Sequence, residues 1–279
     1  MHSAPSANTP VVAWVAGATG YTGHELVRAL CERGATVHAH IRPDSPRLAE
    51  WTERLRAYGA HVEAVPWAEE ALKAALLRAA PTQVYALLGT TQKRARAAAA
   101  AGAPPADYTA VDVGLTLMLL RAAAALPEAP RFVYLSSLGA DPDARGAYLR
   151  ARGQVEQQLR QSTLPYTIAR PSFISGSDRP ESRPAERISA LLADGVLGVL
   201  GALGARTLRD RLRSNSAQGL ARALIRLAAD PAAANTIAQA EALHEQAHTP
   251  RPERAHDPHI VGPTNHYRHR VLCRFRAEQ

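Results

Sequence analysis

Cysteine is nearly absent: the 279-residue chain holds only Cys31 and Cys273. Two cysteines cannot build a disulfide framework. Cys31 falls in a helical pattern, where a packed thiol is expected rather than a reactive one. Lysine is almost as scarce. Of 33 basic residues only Lys73 and Lys93 are lysine, a bias consistent with nucleotide composition acting on codon choice. Aromatic residues make up 5% of the chain, and no basic run is interleaved with them. No specific nucleic-acid partner is therefore expected, and the formal net charge of +8 implies weak nonspecific attraction to polyanions. Long apolar runs are missing too. The first ten residues, MHSAPSANTP, contain no apolar core, and the stretch after them is short and broken by glycine. Neither a signal peptide nor a membrane-spanning helix is expected, so the chain reads as cytoplasmic and without a membrane partner. No repeat at solenoid periods is found.

What is present is a glycine-rich turn, GATGYTG, formed by Gly17, Ala18, Thr19, Gly20, Tyr21, Thr22 and Gly23. An apolar run, Val11 to Ala16, precedes it, and a helical pattern, His24 to Arg33, follows. In that context each glycine has a separate job. Gly17 lets the chain turn sharply, Gly20 lets the backbone approach a pyrophosphate, and Gly23 lets the helix pack close to the strand. The helix start then offers N–H groups and a positive dipole end to the anion. A strand-to-helix turn that binds nothing is the alternative, and the flanking pattern weighs against it.

Strand-like and helical stretches alternate beyond this turn. Strands are expected at Val11 to Ala16, Thr36 to Ile41, His61 to Val65, Gln83 to Leu88, Arg131 to Leu135 and Tyr166 to Ala169. Helices are expected at Arg47 to Tyr58, Ala68 to Ala79, Tyr108 to Ala125 and Tyr148 to Gln161, with a helix or helical loop over Gln92 to Ala101. The fold class is therefore α/β, a doubly wound parallel sheet of the Rossmann type. Residues 1–248 are expected to form this domain, with 172–248 as a small part that either caps a substrate pocket or packs as ordinary core. Within that part Glu186 to Ala193 and Ser216 to Ala229 look helical. Residues 249–279 lose helical periodicity and are expected to be a disordered basic tail. Six of the eleven histidines lie between His244 and His269, but their spacing fits no zinc pattern, and no metal is expected.

Arg42 stands just past the second strand, where dinucleotide folds meet the adenosine ribose. An arginine there can pair with the 2′-phosphate of NADP, whereas Asp44, two residues on, could serve the 2′-hydroxyl of NAD. The expected cofactor is thus NADP, with NAD possible. Leu88, Gly89 and Thr90 close the fourth strand and should border the cofactor, as Thr91 would; turn and helix-capping chemistry is the alternative. Ser136 and Ser137 end the fifth strand. Tyr148 opens the next helix, with Arg152 on the same face. A serine, a tyrosine and a cation in one place suit hydride transfer at a carbonyl: the tyrosine gives a proton to the developing alkoxide, and the serine holds the same oxygen.

Taken together, GATGYTG, the LSS of the fifth strand, YLRAR and ARPSFISG resemble the short-chain dehydrogenase/reductase superfamily, in its extended or atypical branch. More narrowly, LGTT, LSSLGAD, YLRARGQVE and ESRP are similar to bacterial members of the Tat-interacting-protein oxidoreductase subgroup. The similarity runs from about Val11 to His248. It implies an NADP(H)-binding Rossmann fold with Ser137 (or Ser136), Tyr148 and Arg152 as catalytic residues. Arg152 stands where the family has a lysine that binds the nicotinamide ribose, and an arginine there is not a conservative exchange. Pro171 to Ile174, including Phe173, should lie along the nicotinamide. Many relatives place an acid after the third strand for the adenine amino group. Val65, Pro66 and Trp67 stand there instead and would offer adenine an apolar surface. Asp112 opens the long apolar helix, where helix stabilisation is the simpler role.

The function implied is an NADPH-dependent oxidoreductase acting on a small carbonyl substrate. Its alternatives are a catalytically weak NADP(H)-binding sensor that acts on a protein partner, and a nucleotide-sugar epimerase or dehydratase. A homodimer is a further expectation.

Overall fold

A computed structural model describes residues 10–89, 113–172 and 216–248. The chain divides into a unit of Met1–His248 and one of Thr249–Gln279, and every described residue belongs to the first. The expected tail, the Gln92 to Ala101 helix, Glu186 to Ala193, Asp112, Thr90, Thr91 and Phe173 lie outside the described residues.

In chain order the elements are β1 (Val12–Ala16), α1 (Tyr21–Cys31), β2 (Thr36–Ile41), α2 (Leu48–Ala57), β3 (His61–Ala64), α3 (Glu69–Ala79) and β4 (Gln83–Ala86). There follow α4 (Leu115–Ala124), β5 (Arg131–Leu135), α5 (Ala147–Gln161), β6 (Tyr166–Ala169), α6 (Ala217–Ala229), β7 (Thr236–Ala238) and α7 (Ala240–His248). The strands make one seven-stranded sheet in the order β3-β2-β1-β4-β5-β6-β7, and every pairing is parallel. The order reverses between β1 and β4, which makes the carboxyl ends of those strands the topological switch point.

Alternation along the buried strands sorts side chains to the two faces. Ala13, Val15, Tyr85 and Val133 meet Leu26, Val27 and Leu30 of α1, Leu55 of α2, and Leu220 and Leu224 of α6. Trp14, Val84, Phe132 and Tyr134 meet Leu72 and Leu76 of α3, Leu119 of α4, and Val155 and Leu159 of α5. Each fully buried leucine here contributes about 1.5–3 kcal/mol. Tyr85, wholly buried, donates its hydroxyl to Gln83 Oε1 at 2.7 Å, and burial pushes its pKa upward.

Two regions add to the sequence reading. First, β7 is a seventh strand beyond the six expected. It is only Thr-Ile-Ala, too short to show as an apolar run, and the sheet edge at β6 supplies its pairing. Second, residues 216–248, the described part of the section expected to cap a pocket or pack as core, are core. α6 lies against α1 and its buried leucines join the sheet's inner face. Ser216 caps it by accepting from the Gly219 N–H at 3.0 Å. Helix α1 begins at Tyr21 rather than His24, so half of the glycine turn is already helix.

Candidate functional site: the crevice at the switch point

Gly17 follows β1 with φ +86, the left-handed region that only glycine enters without strain. A Cβ there would also stand 2.6 Å from the Leu87 carbonyl oxygen. The turns after β1 and β4 therefore touch backbone to backbone at the switch point. Gly23 is held as tightly, since its Cβ would meet the Gly17 carbonyl oxygen at 2.0 Å. Gly20 faces outward, is exposed, and donates its N–H to the Gly17 carbonyl at 2.9 Å. Ala18 and Thr22 are buried and hold the turn from inside, whereas Thr19 and Tyr21 are partly exposed. Gly20 at the N-cap makes no side-chain cap and no acid lies in the first turn of α1, which leaves its positive dipole end uncompensated among the described residues.

A cleft beside the ends of β2 and β3 is lined by Arg42, Pro43, Asp44, Pro66 and Trp67. Arg42 lies 3.5 Å from Asp44 across a largely solvated pair. The cleft wall is set from below by His40, which is 3% exposed. Burial, the largest effect, pulls its pKa below the ordinary histidine range, against the Val65 carbonyl that favours the proton. A neutral His40 must then carry its proton on Nε2 to donate to the Val65 carbonyl at 2.8 Å. Trp67 meets the same imidazole edge-on at 4.6 Å between centroids. His40 thus fixes both ends of the Val65–Trp67 turn, a role the sequence offered no signal for.

The other half of the crevice is built by β4, β5, β6 and α5. Arg152 is 5% exposed, and its guanidinium carbon lies 5.2 Å from the Tyr148 ring centre and 5.6 Å from that of Tyr134. Its Nη1 donates to Tyr134 Oη and to the Leu135 carbonyl, each at 3.1 Å, and Nη2 donates to the Leu88 carbonyl at 2.9 Å. Tyr148, Arg152, Leu88 and Gly89 are thereby gathered in one place.

The two serines separate. Ser136 is 4% exposed and donates to Glu156 Oε1 at 2.6 Å. Ser137 is partly exposed, with a long 3.4 Å contact from its hydroxyl to the Leu138 carbonyl. Of the two serines, only Ser137 is accessible from solvent to any extent beyond a few per cent. The Leu138 N–H donates to the Pro171 carbonyl at 3.0 Å, which ties the β5 turn to the β6 turn where Pro171 stands.

Glu156 was not singled out by the sequence. It is completely buried, one helical turn past Arg152, and accepts from Arg170 Nε at 2.8 Å and Nη2 at 2.5 Å. Arg170 also donates to the Ala140 carbonyl at 2.9 Å, and its pKa is raised, chiefly by the hydrogen bond to Glu156. A buried pair of this kind is costly to break from one side. It locks the loops after β5 and β6 to α5. Gly153 does the same by contact: a Cβ there would lie 2.1 Å from the Asp141 carbonyl carbon and 2.2 Å from the Pro142 nitrogen. A glycine inside a helix pattern is a hint of such close approach.

A parallel sheet whose strand order reverses beside a glycine turn and an uncapped helix start defines a Rossmann-type dinucleotide fold. The comparisons agree. The chain belongs to the NAD(P)H-binding family, whose profile matches residues 17–191, and its cofactor is a nicotinamide dinucleotide. Among curated proteins it is 31% identical over 187 residues to "Protein fmp52, mitochondrial" of Emericella nidulans, covering 65% of this chain and 74% of that one. The protein of the same name from Aspergillus fumigatus is 31% identical over 188 residues, with 65% and 74% covered. Two solved structures share the fold. The UDP-glucose 4-epimerase of Brucella ovis in complex with NAD has a TM-score of 0.57 at 19% identity, covering 83% of this chain and 77% of that one. A putative NAD-dependent epimerase/dehydratase from Bacillus halodurans has 0.56 at 21% identity, with 84% and 98% covered.

One expectation is overturned. The chain was read as cytoplasmic, but its curated relatives at about 30% identity are named mitochondrial. That reading rested on finding neither a signal peptide nor a membrane-spanning stretch, and an absence of that kind does not fix a compartment. Among the described residues no helix is long and apolar enough to cross a membrane, and no group of three metal-ligating side chains could hold a metal ion.

Proposed function

We propose that the protein is an NADPH-dependent oxidoreductase that reduces a small carbonyl substrate. The observation that carries this reading is the Tyr148 ring 5.2 Å from the Arg152 guanidinium, beside the end of β4 and across the crevice from the glycine turn. When bound, a reduced nicotinamide would supply the hydride. Tyr148 gives its phenolic proton to the oxygen that becomes an alkoxide, and Ser137 donates a hydrogen bond to the same oxygen. Arg152 adds positive charge beside the phenol. Gly17, Thr19, Gly20 and Tyr21 would cradle the pyrophosphate at the start of α1, and Pro171 would border the nicotinamide. The relatives' names make a mitochondrial setting part of this proposal.

The cleft supports NADP over NAD. Arg42 can leave its solvated partner Asp44 for a 2′-phosphate, and Pro66 and Trp67 give adenine a flat apolar wall. Replacing Arg42 by alanine should weaken NADPH binding by about three- to tenfold and leave NADH unchanged, since a charge-assisted bond at a half-exposed site has modest value. Nucleotide fluorescence titration measures both. Equal affinity for the two nucleotides in the unaltered protein, unchanged in Arg42→Ala, contradicts the assignment.

A second reading is a cofactor-binding regulator with little turnover, acting through a protein partner or a homodimer. It is favoured by the commitment of both Arg152 terminal nitrogens to protein acceptors. NADPH oxidation against a panel of aldehydes, ketones and quinones separates the two readings.

A further inference from the structure

Arg152 was expected to meet the cofactor's ribose, yet both its terminal nitrogens donate to the ends of two neighbouring strands. The β4–β5 ladder closes with Ala86 opposite Tyr134. The guanidinium takes over just beyond that pair, with Nη1 on the Leu135 carbonyl at 3.1 Å and Nη2 on the Leu88 carbonyl at 2.9 Å. Tyr134 Oη, 3.1 Å from Nη1, holds the fork from the sheet side. The turn after β4 lies directly on the guanidinium, because a Cβ at Gly89 would be 2.6 Å from Nη2.

Lysine could not make this bridge. Its donors radiate from one nitrogen, whereas the acceptors here are shared between two nitrogens of a planar fork. The next turn of α5 supports the same construction, since Glu156 holds Ser136 and Arg170 at the ends of β5 and β6. Helix α5 therefore braces three consecutive strand ends with two buried charged side chains.

We propose that Arg152 is a positioning residue. It clamps the β4 turn, Leu88 and Gly89, to β5 and so sets the wall against which the nicotinamide half of the cofactor rests. Hydrogen bonding to the ribose is not its task. The inference deepens the function proposed above and rests on it. It also accounts for the arginine in place of the family's lysine: the two side chains do different work at the same position.

The test uses the full chain with Arg152→Lys and Arg152→Met, and three readouts. Hydrogen exchange of the ligand-free protein over 83–89 should rise by about tenfold or more in both variants, because the turn loses its brace. NADPH affinity should fall by about tenfold or more in both, as misplacement of a binding wall costs at least that much. Binding of adenosine 2′,5′-bisphosphate, which carries the adenosine end alone, should stay within about twofold of the unaltered protein. Arg152→Lys with unchanged exchange and unchanged NADPH affinity overturns the proposal, as a ribose ligand would behave that way. Parallel loss of both ligands overturns it too, because that marks general unfolding. If NADPH fails to bind the unaltered protein, the functional reading falls, and the exchange of the ligand-free variants still decides the clamp.

Discussion

Replacing Gly153 with alanine is expected to lower the thermal midpoint by roughly 4–8 °C. Two effects oppose each other. Alanine is the better helix former by about 1 kcal/mol, so propensity alone predicts stabilisation. Contact predicts the reverse, because the new methyl carbon would lie 2.1 Å from the Asp141 carbonyl carbon and 2.2 Å from the Pro142 nitrogen. Both are backbone atoms of a loop tied to α5, where the Asp141 N–H donates to the Leu149 carbonyl at 3.3 Å. Neither can swing aside as a side chain could. Overpacking of this kind costs about 3 kcal/mol or more, which outweighs the propensity gain. Helix α5 would have to lift, taking Tyr148 and Arg152 with it. Circular-dichroism melting checks the sign. A midpoint unchanged or raised would mean that the loop yields and that α5 is not held by this contact.

The second large effect belongs to Tyr148. If it delivers the proton, Tyr148→Phe should lower NADPH oxidation on an accepted carbonyl substrate by about 10²–10⁴-fold. NADPH affinity should stay within about twofold, because the ring that lies over Arg152 is kept and only the hydroxyl is lost. Single-turnover oxidation and fluorescence titration on the same variant give the two numbers. Turnover equal to that of the unaltered protein would remove Tyr148 from the chemistry.

Much of this arrangement is written locally in the chain. Strand, glycine turn and helix are consecutive, so the sequence around Gly17 to Gly23 already contains the pattern that the close contacts among Gly17, Gly23 and Leu87 explain. Strands β2, β5 and β6 were legible to the residue, because each is a compact apolar run closed by a proline or by polar residues. Strand β7 was not, since three residues carry no period and its pairing partner lies some seventy positions upstream.

The same limit applies in the crevice. Tyr148 and Arg152 were found because they share a helix face. Glu156 and Arg170 were missed because each alone looks like a surface charge, and only the fold brings them together with complete burial of the carboxylate. The direction of the Arg152 guanidinium was equally hidden. Spacing on a helix says which face a side chain occupies, and the neighbouring strands decide which acceptors it meets. His40 is a third case: in β2 it shares a face with Thr36 and His38, and its burial and its bond to the Val65 carbonyl depend on the β2–β3 register.

The central claim is that the switch-point crevice takes a nicotinamide dinucleotide, with the phosphorylated form preferred. The most direct test is a titration of the full chain with NADPH and with NADH, followed by nucleotide fluorescence and by quenching of tryptophan emission, to which Trp67 in the adenosine cleft contributes. The account predicts saturable binding of both, NADPH the tighter by about three- to tenfold, with tryptophan quenching that saturates at the same concentration. No saturable binding of either nucleotide would contradict it.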